Sequence, residues 1–338
     1  MLGRPNWMER RGRPRFLLSF YQFESAATFC ETRQSSKEMK GYETLHSASG
    51  WRDASARGRI RIVGEDRARL LHAMTTNNVE VLQPGDGCYA FFLNAQGRIQ
   101  ADAVILCFED SLLLDVEPET RQKIYDHLDK FIIADDVQLD DVTETTSCIE
   151  VGGPQAEASL RALGAPIPEA DFHLTEWGAR TIYKIDDERF RILTNPGDRA
   201  DLTARLGEEA DEEAWNIWRL ERGIPRYGQD ITERHLLQET RQMQAVSFTK
   251  GCYLGQEIVE RVRSRGQVHK NLAPVEIAAP KVATSEILDE TGAKAGELMS
   301  RVYSPALEKT VGLAYLRTDQ IGPQAKPMSI AGAAVSVR

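Results

Sequence analysis

The sequence predicts an α+β fold that ends in a small β-barrel, and three observations support this prediction. Strand-like and helix-like segments are interspersed between residues 59 and 206, as is typical of α+β domains. The turn at residues 94–97, Asn-Ala-Gln-Gly, lies between two apolar stretches and predicts an antiparallel hairpin. After residue 271, short apolar stretches alternate with Pro and Gly turns, a pattern typical of a compact barrel.

The composition is that of a globular protein. The chain has 338 residues, of which 41% are apolar and 28% charged, enough for two or three domains. No apolar run approaches the roughly 18 residues of a membrane span, so we expect no membrane partner. The net charge of -9 argues against direct nucleic-acid binding, because phosphates require a basic surface.

The cysteines predict neither disulfides nor a metal site. They are five, an odd number, and none of them forms a C-x-x-C pair or a metal-ligand spacing. Since the sequence shows no secretory signal, a reducing, cytoplasmic location is expected.

Residues 1–38 differ from the rest of the chain. They are rich in arginine around a short apolar stretch, but their glutamates count against an organelle transit peptide. We expect a disordered extension or an upstream start, with Met39 as the true beginning.

The next part of the chain predicts a sheet with covering helices. Asp102 lies in the second strand of the hairpin, on the same face as Val104 and Leu106, which is unusual for a solvated acid. Asp102 is therefore a candidate functional residue, and the alternative is a hydrogen-bonded acid near a sheet edge. The expected strands are 60–62, 88–93, 98–108 and 112–116, and the expected helices follow Asp66 and Pro118.

Two further modules are expected. Residues 137–206 predict a ferredoxin-like subdomain within a domain that spans 39–270, and residues 271–338 form the barrel domain. Between them a helix at 212–222 carries Trp215 and Trp218, for which core packing is the better interpretation. The strands expected in the barrel are 272–277, 297–303, 310–316 and 328–337.

The most informative stretch is 250–265. Gly251 and Gly255 bracket Cys252 in a tight loop, and helix-forming residues follow directly. A helix N-terminus and the ammonium of Lys250 both favour the thiolate form of a nearby cysteine. The alternative is a small buried residue in a glycine turn.

The octapeptide at 250–257 resembles the K-G-C-Y-x-G-Q-E signature of the YgfZ-type folate-binding family. That family is related to the glycine-cleavage T-protein, an aminomethyltransferase. Residues 59–66, 76–79 and 93–99 are similar, in the same order, to the opening motifs of the T-protein. The resemblance implies a T-protein-like fold and tetrahydrofolate as the ligand.

The resemblance also implies roles for individual residues. Of an acidic pair that the T-protein places beside folate, only Asp102 remains, because the other position is Ala101. Glu239 matches the glutamate that holds the pterin ring. Cys252 and Asp102 are the candidate catalytic residues. The expected folate contacts are Tyr89, Asn94, Asp102, Glu239 and Arg263, and the signature loop comprises Lys250, Gly251, Cys252, Tyr253, Gly255, Gln256 and Glu257. Arg263 belongs to a basic run at residues 261–270 that suits the carboxylate tail of a folate, and the alternatives are a solvated helix face or a contact with RNA phosphate.

The function that the resemblance implies is that of an accessory protein. It would bind tetrahydrofolate, support the assembly or repair of iron–sulfur clusters and thereby tRNA modification, with cluster proteins as partners and Cys252 as the reactive or partner-contacting group. The alternative is a folate-dependent aminomethyltransferase or demethylase, against which Ala101 counts. A plain RNA-binding protein is the third possibility, and the acidic net charge disfavours it.

Overall fold

The computed structural model describes residues 39–266 and 268–338. This part of the chain forms two five-stranded antiparallel sheets and one closed six-stranded barrel. The α+β fold with a C-terminal barrel is therefore confirmed. Residues 1–38, for which we predict a disordered extension, lie outside the described residues.

The first sheet has the order β3-β4-β5-β2-β6. Helices α2, Arg67–Met74, and α3, Arg121–Phe131, pack on one face, because apolar residues alternate along the strands and recur at helical spacing in both helices. The opposite face carries Asp102. The strands are β2 Gly58–Val63, β3 Gly87–Leu93, β4 Ile99–Cys107, β5 Leu112–Val116 and β6 Gln138–Asp141.

The predicted hairpin is present. β3 pairs with β4 in antiparallel register, with Phe91 opposite Asp102. The Oδ1 atom of Asn94 accepts hydrogen bonds from the backbone N–H groups of Gln96 at 3.0 Å and Arg98 at 2.9 Å. This side chain closes the turn locally, as Asn does in Asx turns.

The second sheet has the order β1-β7-β10-β9-β8 and draws on two separate parts of the sequence. β1 pairs with β7, and β6, which we expected in the ferredoxin-like module, pairs with β2 in the first sheet. The strand β6, at the start of the expected module 137–206, therefore belongs to the first sheet and not to the second. The strands are β1 Gly50–Asp53, β7 Ser147–Gly152, β8 Leu174–Trp177, β9 Arg180–Asp186 and β10 Arg189–Thr194.

Four further helices, three short and one longer, accompany the two sheets. α4 and α5 pack beside the second sheet through Leu160 and Leu202. Trp215 and Trp218 of α6 are buried with ring centroids 5.3 Å apart, which confirms the core assignment. The helices are α1 Tyr42–Ser47, α4 Ala156–Ala162, α5 Arg199–Thr203 and α6 Glu212–Glu221.

The barrel closes in the order β11-β14-β13-β12-β15-β16. Residues 328–337, which the sequence predicts as one strand, form two strands that turn at Ala331 and Gly332, both with positive φ. β12 was not predicted because it is short and partly polar. The strands are β11 Lys270–Ile277, β12 Glu286–Asp289, β13 Lys294–Ser304, β14 Lys309–Arg317, β15 Met328–Ile330 and β16 Ala333–Val337.

Helix α7, Gln256–Arg265, follows the signature loop as predicted. Among the residues that the structure describes, no helix is both long and apolar enough to cross a membrane.

Candidate functional site

A cleft of about 540 Å³ opens between the two sheets. Its walls also include the loop that follows α6 and the segment 242–244, which precedes the signature loop. The volume is within the range of small-molecule sites. Of the predicted site residues, the cleft brings together Tyr89 and Asp102.

Asp102 is the most unusual group in the cleft. Its Oδ2 atom accepts a hydrogen bond from the Tyr89 hydroxyl at 2.8 Å, whereas its buried Oδ1 atom has no partner within the described residues. Burial, reinforced by the negative charge of Glu117, raises the pKa of Asp102 to about 6. A buried carboxylate oxygen without a donor is costly, so this geometry favours a ligand that donates to it.

An aromatic wall stands beside this carboxylate. Tyr89 and Phe172 are stacked, with ring centroids 5.8 Å apart and planes inclined by 18°. Phe172 has a φ of +66°, which is uncommon for a bulky residue. Its backbone is fixed by a 2.7 Å hydrogen bond from its N–H to the carbonyl of Lys184. Both rings line the cleft and give it an apolar wall beside the carboxylate.

The floor of the cleft is an ion network that joins the two sheets. Asp115 of β5 is 1% exposed and accepts from Arg57 Nε at 2.6 Å, Arg191 Nη1 at 2.5 Å and the Tyr183 hydroxyl at 2.7 Å. Although burial opposes ionisation, Arg57 and Arg191 hold the pKa of Asp115 below its ordinary value. Arg191 also pairs with buried Glu150 at 3.1 Å.

The same network reaches the mouth of the cleft through Glu117. Its carboxylate contacts Arg57 and accepts from Arg226 Nε at 2.9 Å. Burial opposes ionisation here too, yet Arg57 and Arg226 hold the pKa of Glu117 below its ordinary value. Arg226 is 27% exposed and pairs more loosely with Glu119 at 3.2 Å. The cleft therefore combines a fixed anion at Asp102 with a partly accessible cation at Arg226.

The signature loop is anchored to the end of α2. Lys250 is 9% exposed and donates to the backbone carbonyls of His72 and, at 2.7 Å, Thr75. These are carbonyls of the kind that a helix C-terminus leaves unsatisfied, and a cation suits them. Burial lowers the pKa of Lys250 to about 8. The Lys250 ammonium, which is expected to favour the thiolate form of Cys252, thus binds the carbonyl groups at the end of α2.

Cys252 is exposed and does not line the cleft. α7 begins only at Gln256, and the intervening Gly255 has a φ of +84°. An added Cβ at Gly255 would lie 2.5 Å from the carbonyl oxygen of Asn94, so only glycine fits against the hairpin turn. The loop and the hairpin turn therefore hold each other in place, and the thiol faces outward.

Other members of the signature loop have structural roles. Tyr253 is 8% exposed, and its backbone N–H donates to Gln256 Oε1 at 3.3 Å. Glu257 is exposed and pairs with Arg261 at 2.7 Å. Gly251 is exposed, and an added Cβ there would lie 3.3 Å from His72 Nε2.

Three expected folate contacts lie elsewhere. Asn94 closes the hairpin turn, as described above. Glu239 accepts from the backbone N–H of Leu236 at 3.0 Å and lies 3.9 Å from Lys270, so it caps the short 3₁₀ segment Leu237–Thr240 instead of lining the cleft. Arg263 lies on α7, 3.4 Å from Glu260 and over the Phe248 ring.

Several residues of the cleft and of the ion network beneath it are not among the predicted site residues. Glu150 and Asp115 of the floor lie in otherwise apolar strands, the same signal that identified Asp102. Phe172 and Arg226 lie in loops, and no local pattern in the sequence connects them with Asp102. Only the packing of the two sheets brings these groups together.

Comparisons with known proteins agree with this architecture. The sequence profile of the GCVT N-terminal domain matches residues 15–192, more than half of the chain. The protein belongs to the GCVT family. The profile of the CAF17 C-terminal β-barrel domain matches residues 269–338 of this GCVT-family chain.

One solved structure and one named relative resemble this chain over most of its length. The glycine cleavage aminomethyltransferase T of Bartonella henselae shares the fold, with a TM-score of 0.78 and 20% identity over 88% of this chain and 87% of that one. The mitochondrial iron–sulfur cluster assembly factor IBA57 of Mus musculus is 28% identical over 79% of this chain and 77% of its own length.

Two further relatives are longer than the region they share with this chain. A chloroplastic protein of Arabidopsis thaliana, whose name suggests a transferase, is 29% identical over 78% of this chain. The tRNA-modifying protein YgfZ of Yersinia pestis is 24% identical over 61% of this chain. The matches span 64% of the length of each relative. The resemblance to the YgfZ type is thereby confirmed, and the cytoplasmic location stays a prediction.

Proposed function

We propose that this GCVT-family protein binds a tetrahydrofolate in the cleft and supports the assembly of iron–sulfur clusters in other proteins. The observation that carries the folate proposal is the unpartnered Oδ1 atom of Asp102 beside the stacked rings of Tyr89 and Phe172. The relatives IBA57 and YgfZ, by their names, support the cluster and tRNA connection.

The donor set of a pterin fits Asp102. The 2-amino group and the adjacent ring N–H of a pterin form a paired donor edge, which one carboxylate can accept bidentately. The Oδ1 atom of Asp102 is free for one donor of this edge, and Oδ2, which already accepts from the Tyr89 hydroxyl, has a second lone pair for the other donor. The ionised form is required, and at pH 7 a carboxyl group with a pKa of about 6 is mostly ionised.

The remainder of the cleft suits the other parts of a folate. The Tyr89–Phe172 wall would pack against an aromatic ring, and Arg226 at the mouth would pair with the carboxylates of the glutamate tail. Arg226 replaces Arg263 in this role, because Arg263 is on the exposed face of α7. When bound, a reduced folate supplies one-carbon carrier chemistry. The residues of this chain hold and orient it.

We propose that Cys252 contacts a partner protein. Its thiol is exposed, and Lys250 and Gly255 fix the loop that carries it. Gln242 and Gln244, which precede this loop in the chain, line the cleft. Thr76 ties the two regions together, because its hydroxyl donates to Ala245 and its carbonyl accepts from Ser247 at 3.0 Å. Folate bound in the cleft would therefore stabilise the loop that presents Cys252 to a cluster protein.

The test is calorimetric titration with tetrahydrofolate under nitrogen. The Asp102→Asn variant keeps an oxygen for Tyr89 but presents an amide donor to the pterin edge. We expect its dissociation constant to rise at least tenfold, because one charge-assisted hydrogen bond is lost and two donors face each other. Unchanged affinity would show that the pterin binds elsewhere.

One observation favours a folate-dependent one-carbon transferase as the second candidate. Asp102 has a pKa of about 6, and a carboxylate near neutrality can accept a proton from an amine substrate. Steady-state assays with an aminomethyl donor and with methylated amines distinguish the candidates. Turnover that requires Asp102 but not Cys252 would favour the transferase.

A further inference from the structure

A second cleft, of about 330 Å³, lies on the barrel and shares no lining residue with the first. Four cationic side chains from separate parts of the chain surround it. Lys270 begins β11, Lys294 begins β13, Arg317 ends β14, and Arg234 comes from the loop before the 3₁₀ segment. Convergence of four cations on one concavity is the charge pattern of an anion site.

The floor of this second cleft is a buried aromatic pair. His235 and Tyr315 are each 2% exposed and stack with ring centroids 3.9 Å apart. The Tyr315 hydroxyl oxygen is buried and has no hydrogen-bond partner within the described residues. Buried tyrosine hydroxyls usually find a partner, so this group calls for a ligand atom.

His235 supplies a second neutral donor. Its Nδ1 atom accepts a hydrogen bond from the backbone N–H of Thr232 at 3.0 Å, which places the ring proton on Nε2. Burial, with the positive charges of Lys270 and Arg234, lowers the pKa of His235 to about 3, so the ring stays neutral. The floor thus presents an O–H and an N–H, and the rim presents cations.

Arg317 is held by Asp319 at 3.1 Å and Asp289 at 3.2 Å, whereas the ion pairs of the other three rim cations are loose. Glu297 is the one acid that lines this cleft within the described chain, and it lies 3.8 Å from Arg234 and 3.5 Å from Lys294. Lys270 is 3.9 Å from Glu239. These distances exceed those of charge-assisted hydrogen bonds, so an anionic ligand can bind the same cations more closely.

We propose that this second cleft binds an oxyanion, the phosphate or carboxylate group of a small molecule. The anion would accept hydrogen bonds from the Tyr315 hydroxyl and His235 Nε2, and Lys270 and Lys294 would neutralise its charge. The site is independent of the folate cleft, and its test does not depend on the proposed function.

The first test removes one oxygen atom. Calorimetric titration of the full chain with inorganic phosphate, and separately with glutarate, measures affinity for the two anion classes. Tyr315→Phe should weaken binding of the preferred anion roughly tenfold, the scale of one hydrogen bond. Because that hydroxyl has no protein partner, the melting temperature of the ligand-free variant should not fall. Preference for phosphate would identify a phosphorylated ligand, and preference for glutarate a carboxylate ligand.

A matched pair of variants tests the rim. Lys294→Gln should weaken binding several-fold and reduce its dependence on salt, because a cation of the site is lost. Lys309→Gln also removes one positive charge, but at the start of β14, whereas Arg317 of the cleft is at the end of that strand. Lys309 pairs with Glu276 at 3.1 Å, and its substitution should leave binding unchanged. Absence of binding for both anions up to roughly 10 mM, or equal affinity in wild type and Tyr315→Phe, would overturn the proposal.

Discussion

Tyr89 donates its hydroxyl proton to one oxygen of Asp102 at 2.8 Å, and the other oxygen of Asp102 is buried without a partner. The pairing orients the carboxylate within the cleft. Because the second oxygen has no donor, ionisation of the Asp102 carboxyl group is energetically unfavourable. The buried Asp102 carboxylate therefore lowers the stability of the ligand-free protein, and a ligand with two donors would restore that stability.

Asp102→Asn should stabilise the ligand-free protein at pH 7.5. The folded-state pKa of Asp102 is about 6 and its ordinary value is 3.8, so the folded state binds the extra proton between these pH values. Stability contributed by this group falls as pH rises through that window. We expect the variant to gain about 1–3 kcal/mol in urea unfolding at pH 7.5, and almost nothing near pH 4.

Asp289→Asn provides the control of opposite sign. Hydrogen bonds from Thr291, with help from Arg317, lower the pKa of Asp289 to about 2. The folded state therefore favours the ionised form of Asp289, and its removal should lower stability at pH 7.5. A loss of stability in Asp102→Asn at that pH would contradict the assignment of Asp102 as a strained acid.

Folate affinity should fall as pH decreases through about 6. Protonated Asp102 no longer accepts two hydrogen bonds from the pterin edge, and its raised pKa places this loss near pH 6 instead of near 4. Titrations between pH 5 and pH 8 should show a one-proton dependence in the wild type that is absent in Asp102→Asn. A flat profile in the wild type would mean that the bound carboxyl group does not titrate there.

Asp102 can be identified from the sequence because side chains alternate between the two faces of a strand. An acid on the same strand face as Val104 and Leu106 stands out from its neighbours, and the structure places it in the cleft. The same rule applied to Asp115 would have revealed the ion network. Phe172 and Arg226 carry no such signal, because they reach the cleft through loops and long-range packing.

Glu239 lies outside the cleft, although the motif resemblance implies a pterin contact for it. The residue occupies the expected place in the sequence, yet its carboxylate caps the backbone N–H of Leu236. The local backbone forms a 3₁₀ segment, Leu237–Thr240, and the Glu239 carboxylate lies 3.9 Å from Lys270. Backbone geometry, which a single sequence does not specify, places Asp102 and not Glu239 in the cleft.

Glu239→Gln should therefore leave folate affinity nearly unchanged. The glutamine keeps an oxygen that can accept from Leu236, so local stability should fall by less than about 1 kcal/mol. Calorimetry of Glu239→Gln beside Asp102→Asn compares the two carboxylates directly. A tenfold loss in Glu239→Gln alone would restore Glu239 as the pterin ligand.

Lys250→Met should destabilise the protein, since the carbonyls of His72 and Thr75 lose their donor. Two buried acceptors without a partner cost on the order of 2–4 kcal/mol. The pKa of Lys250 is about 8, below its ordinary 10.5, so the unfolded state binds more protons between these values. Wild-type stability from this group should rise with pH in that window, and the difference between wild type and variant should grow accordingly.

Cys252→Ser should separate folding from function. The thiol is exposed and does not line the cleft, so urea unfolding and the tetrahydrofolate dissociation constant should both match the wild type. Activity of iron–sulfur enzymes in cells that depend on this protein should be lost, because the hydroxyl is a far weaker nucleophile and ligand than a thiolate. Cys107→Ser removes a thiol at a buried position that is distant from the signature loop in the sequence. It therefore controls for the loss of any one thiol from the protein. Full restoration of those enzymes by Cys252→Ser would remove the thiol from the mechanism while leaving the folate cleft in place.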